Sequence, residues 1–86
     1  MPKKIKVDIF KSLLVKELYV YMESGSKVNK LPQELSDRLG QLQVVLTLDL
    51  EPHTKLVQAN AVQVLKSLQE KGYYLQLPPK QAQTHL

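Results

Sequence analysis

Cysteine is absent from this 86-residue chain, which excludes a disulfide framework, a thiolate-based zinc site and a thiol nucleophile together. Glycine is scarce: Gly25, Gly40 and Gly72 stand singly, so the chain holds neither a glycine-rich phosphate loop nor a nucleophile elbow. Arginine occurs once, as Arg38, which leaves little for bidentate reading of base edges. No stretch approaches the roughly 20 apolar residues of a membrane span. The opening MPKKIKVDIF carries charge where a signal peptide would carry its apolar run. The chain is therefore expected to be soluble, unprocessed and cytoplasmic, with no membrane partner.

What is present is a chain of 43% hydrophobic content, enough for one small domain burying about 60–65% of the surface its unfolded form exposes. The domain is expected to span 1–86, with a core over about 5–79 and a polar tail over 80–86. Twelve basic residues against eight acidic ones give a net charge of +4. Lys3, Lys4, Lys6, Lys11 and Lys16 share the first sixteen residues with a single acid, Asp8. Such an end can attract a polyanion, or it can serve solubility alone.

Periodicity gives the elements. IKVDIFK alternates Ile5, Val7 and Ile9 with Lys6 and Asp8, a strand with one inward face whose phase Phe10 breaks. ELYVYME sets Leu18, Val20 and Met22 against Tyr19 and Tyr21, a second strand expected to pair with the first as an antiparallel hairpin. Between them SLLVK is too apolar for an ordinary turn: either the strands extend into it or Leu13, Leu14 and Val15 form an exposed tip. ESGSKVNK is a loop by composition. LPQELSDRLG opens a short helix, with Pro32 at the first helical position, a stripe of Leu31, Leu35 and Leu39, and Gly40 as a left-handed cap.

VVLTLDL predicts the strongest strand, with Val44, Leu46, Leu48 and Leu50 on one face, ended by Pro52. Asn60 then caps a helix whose buried stripe is Ala61, Val64, Leu65 and Leu68. Gly72 closes that helix, and GYYLQLPPK supplies a last strand. Its Tyr73, Leu75 and Leu77 are expected to face the Ala61–Leu68 stripe, with Tyr74 and Gln76 on the second face. Pro78 and Pro79 stop the ladder. The order is strand, strand, helix, strand, helix, strand.

These segments resemble the YcgL-domain family of small uncharacterised gamma-proteobacterial proteins. The likeness runs from about residue 7 to residue 79 and rests on GYYLQLPP, on the capped helix before it, and on LYVYME followed at the family's spacing by LPQEL. The resemblance implies an α/β fold, a compact α/β/α sandwich with helices on both faces of a four-stranded sheet in β-β-α-β-α-β order. It implies no activity, cofactor or substrate. The chain departs from the family pattern where Ser24, Gly25, Ser26 and Lys27 replace a lysine-arginine pair and two acids, and where Leu13, Leu14 and Val15 replace a polar turn.

Three function classes follow. The first is a non-catalytic binding or adaptor module for a protein partner, and the second is a weak, salt-sensitive RNA- or DNA-binding protein. Both would use lysines beside aromatics, and the candidate surface is Lys6, Lys11, Tyr19, Tyr21, Tyr74 and Gln76. The third class, a small-molecule or metal-dependent enzyme, rests on DLEPH, where Asp49, Glu51 and His53 stand at two-residue intervals. A continuous strand would place these on one face. Pro52 interrupts it, so no catalytic residue, metal ligand or cofactor is assigned.

Overall fold

A computed structural model describes residues 4–25, 31–56 and 59–78. Strand β1 (Ile5–Ser12) and strand β2 (Tyr19–Glu23) are followed by helix α1 (Gln33–Leu39), strand β3 (Leu42–Leu50), helix α2 (Ala61–Glu70) and strand β4 (Tyr74–Gln76). The four strands form one antiparallel sheet in the order β3-β1-β2-β4. The residues from Ser26 to Lys30, within the expected loop, and the tail 80–86 lie outside the described residues. No helix among the described residues is long and apolar enough to cross a membrane.

Alternation along the strands divides the apolar residues into two clusters. Val7, Ile9, Tyr21 and Leu50 meet Ala61, Val64 and Leu65 of α2 on one face. Leu18, Val20 and Met22 meet Leu31 and Leu39 at α1 on the other. Met22, Leu50, Val7, Val20 and Val64 are fully enclosed, and burying each such side chain stabilises the fold by about 1.5–3 kcal/mol. Helix α2 begins as its sequence predicts: the Asn60 side chain accepts from the backbone N–H groups of Val62 and Gln63, closing two of the donors that a helix start leaves open.

Several expectations are corrected by the sheet. Phe10 departs from the Ile5, Val7 and Ile9 phase without ending β1: it joins the α1 face, across from Val20 on one side and Val44 on the other. Val44 does not share a face with Leu46, Leu48 and Leu50. A register shift opposite Ile9 and Phe10 leaves Val45 as the extra residue of a β-bulge, so Leu42 and Val44 change sides relative to the leucines that follow. Pro32 is the residue before α1, not its first, with φ −56° and ψ 143°. Gly40 does have positive φ, but with φ 67° and ψ −146° it occupies a region reserved for glycine rather than the left-handed helical one.

Tyr73 is also corrected. In β4 it is Tyr74 that pairs with Tyr21 and Leu75 that pairs with Val20. Directly opposed residues share a face, so Tyr74 joins the α2 cluster, while Tyr73 and Leu75 join the α1 cluster. The ladder to β2 decides the phase, and the helix that precedes the strand does not.

The SLLVK segment forms a tip after β1 ends at Ser12. Leu13 and Leu14 are exposed, while Val15 packs with the α1 cluster. The tip is organised by Ser12, which is buried and donates from Oγ to the carbonyl of Leu39 at 2.7 Å. The same oxygen accepts from the backbone N–H groups of Leu14 and Val15. In the middle of β1, Asp8 Oδ1 accepts from Thr47 Oγ1 of β3 at 2.7 Å and from Ser24 Oγ, just past the end of β2, at 2.9 Å.

Candidate functional site

Helix α2 has ten residues and covers the end of its sheet face near Val7 and Leu50; among the described residues no helix covers the rest. The bulge in β3 turns both Val45 and Leu46 toward this open part. Ile9, Tyr19, Tyr21, Leu46 and Leu48 form the floor, and Leu56 with Lys55 closes one side. Lys55 is positioned by a short antiparallel bridge to Asn60, the residue that caps α2. The result is an open groove of about 410 Å³ that also includes Val45 and Gln76.

Tyr19 forms the wall between this groove and a second hollow lined by Lys11, Leu13, Leu14, Lys16 and Glu17. Lys11 pairs with Tyr19 across β1 and β2, which places its side chain on the groove side of the sheet. An apolar trough therefore adjoins a hollow with two ammonium groups and one carboxylate. The polar lining of the trough is two tyrosine hydroxyls, an ammonium group and an amide, a set suited to holding a ligand through contact and hydrogen bonds.

Tyr21 is fixed in place. Its hydroxyl donates to Oε1 of Gln76 at 2.8 Å, and its ring meets that of Tyr74 edge to face. Burial pushes its hydroxyl pKa up, and the neighbouring Tyr74 and Tyr19 add to the rise.

The candidate residues named from sequence separate as follows. Tyr19, Tyr21 and Gln76 line the groove and Lys11 lines the adjoining hollow. Tyr74 lies among the α2 cluster and supports Tyr21. Lys6 is across β1 from Asp49, on the opposite face of the sheet from Lys11. Sequence reasoning missed Ile9, Val45, Leu46, Leu48, Lys55 and Leu56, because alternation assigns apolar strand residues to the core. The available signal was VVL, three successive apolar residues inside an otherwise alternating strand.

The DLEPH residues do not assemble into a metal site. The strand ends at Leu50, the chain turns through Pro52 and His53, and Thr54 Oγ1 accepts from the Glu51 N–H. His53 Nε2 reaches Glu51 Oε1 at 3.0 Å from a position almost wholly in solvent. Among the described residues no group of three His, Asp or Glu side chains could hold an ion.

Comparison with known proteins places this architecture in a family. The YcgL domain profile matches residues 7–79. A YcgL domain-containing protein of Cellvibrio japonicus is 38% identical over 77 residues, covering 90% of this chain and 79% of the relative. Protein YcgL of Escherichia fergusonii is 39% identical over 71 residues, covering 83% of this chain and 73% of the relative. A Nitrosococcus oceani protein that carries the name HAD-like hydrolase is 38% identical over 73 residues; the match covers 85% of this chain but 20% of that protein. The match spans the hairpin, both helices and the last strand, and the chain belongs to the YcgL domain family.

Proposed function

We propose that this chain is a non-catalytic binding or adaptor module of the cytoplasm, an α/β/α sandwich in β-β-α-β-α-β order that holds an apolar segment of a protein partner. The observation that carries the proposal is the groove floored by Ile9, Tyr19, Leu46 and Leu48 beside the basic hollow at Lys11 and Lys16. A partner segment that pairs apolar side chains with acidic ones matches both halves. The Nitrosococcus protein supports a protein partner, since there a domain of this kind occupies a fifth of a longer chain named for a hydrolase. Separate chains can meet through the same surfaces that fused domains use, so a hydrolase of that type is the first partner to try.

A second reading, binding of single-stranded RNA or DNA, is favoured by the partly buried Tyr19 next to Lys11 and Lys16. Tyr21 and Tyr74 contribute less to it, being engaged with one another. The two readings separate in one experiment. Immobilised protein is incubated with bacterial extract with and without nuclease, beside a Leu46→Asp variant whose fold is verified by its amide spectrum. Proteins retained after nuclease by the native chain and lost by the variant are the expected result. Retention that ignores the substitution overturns the groove, and retention that vanishes with nuclease transfers the function to nucleic acid.

A further inference from the structure

The two edges of the sheet are unlike. The β4 edge is three residues long and runs into Pro78, so it offers little to another strand. The β3 edge is nine residues long, LQVVLTLDL, with no lysine, arginine or proline and a single charge, Asp49. Among the described residues β3 pairs with β1 alone, and its other side presents backbone donors and acceptors outward. Val44, Val45 and Leu46 are 51%, 47% and 52% exposed, which is unusual for three successive apolar residues on an edge. Proteins ordinarily protect such an edge with charge, proline or a covering element.

We infer that the β3 edge is the interface of a homodimer, formed by β3 adding antiparallel to β3 of a second copy. Residues 46–48 at the centre of the strand are complementary to themselves in that arrangement, and the bulge at Val45 ends the match on either side. A two-fold axis at Thr47 sets Thr47 against its own copy, and Leu46 and Leu48 each against the other, all on the faces they already occupy. Threonine pairs and branched apolar pairs are both favourable across an antiparallel ladder. The charges also fit. Each Asp49 then faces the uncharged bulge at Val45, and the two carboxylates sit four positions apart. At about 3.3 Å per residue that is roughly 13 Å, beyond the screening length of about 8–10 Å at ordinary salt.

A dimer of this form makes one eight-stranded sheet, in which the groove floors of the two copies adjoin at Leu46 and Leu48. The inference stands apart from the proposed function, because its test contains no partner. Sedimentation across a rising protein concentration is expected to show a monomer–dimer equilibrium. Val45→Lys should raise the dissociation constant by about tenfold or more, while Leu77→Lys at the opposite edge leaves it unchanged.

The chain has no native cysteine, so single-cysteine variants report the register directly. Thr47→Cys is expected to give a covalent dimer under oxidised glutathione much faster than Leu77→Cys does. A chain that sediments as a monomer at the highest concentration overturns the inference. So does a dimer in which the two cysteine variants cross-link at equal rates, because association then lies elsewhere.

Discussion

Tyr21 and Tyr74 meet edge to face, with ring centroids 5.6 Å apart and planes at 90°, and are directly opposed across β2 and β4. This pair is the point where the last strand is attached to the core beneath α2. Tyr21 is 5% exposed, so Tyr21→Ala is expected to cost about 3–5 kcal/mol. Tyr74→Ala and Tyr73→Ala, both at half-buried positions, should cost less. A double-mutant cycle on Tyr21 and Tyr74 should return a coupling of about 0.5–1.5 kcal/mol. Urea unfolding checks all four values, and additivity within error would show that the ring contact contributes nothing of its own.

Alkaline pH should weaken the fold through the same side chain. The hydroxyl of Tyr21 is pushed above its ordinary pKa of 10.0 by burial first and by Tyr74 and Tyr19 after it. Above pH 10 the unfolded chain therefore loses this proton while the folded chain retains it, and stability falls as pH rises through the folded value. Below pH 10 the contribution is complete. Tyr21→Phe should flatten the alkaline fall measured by thermal unfolding, with the loss of the Gln76 hydrogen bond lowering stability by about 1 kcal/mol at neutral pH.

Asn60→Ala should cost about 1 kcal/mol, because it removes the acceptor for two N–H groups at the start of α2. Asn60→Asp and Asn60→Ser should restore most of it. Loss of stability in the serine variant equal to that in the alanine variant would mean that a side-chain acceptor at this position is not what stabilises the start of α2.

Gly40→Ala should be costlier than an average glycine substitution. A Cβ there would lie 3.1 Å from Cβ of Leu14, on a backbone with φ +67°. Strain of this kind costs on the order of 1–3 kcal/mol. Adding Leu14→Gly to the same chain should recover the part due to the clash and leave the part due to the backbone, as unfolding curves of both variants would show.

Period and capping make much of the fold legible in the sequence. The hairpin, the Asn60 cap and the stripe Ala61, Val64 and Leu65 follow from spacing and local hydrogen-bond chemistry, which act over a few residues. The phase of β4 was not legible, because Tyr73 and Tyr74 are both aromatic and the choice between them depends on a strand more than fifty residues earlier. The groove was missed for a related reason. Apolar spacing shows which residues can be buried, but Leu46 and Leu48 are left open by how far α2 extends, which is a property of the assembled layers. The bulge lay between these cases, since VVL breaks the alternation without saying which residue is the extra one.

The Ser12 hydroxyl has a consequence for proteolysis. An exposed loop tip with two leucines, Leu13 and Leu14, would ordinarily be a cleavage site, since a protease must draw an extended stretch of chain into its cleft. Here the N–H groups of Leu14 and Val15 are held by Ser12 Oγ, which is itself held by the last carbonyl of α1. Pulling the tip free means detaching the end of a helix. The tip can therefore display its leucines to solvent while withholding its peptide bonds from digestion.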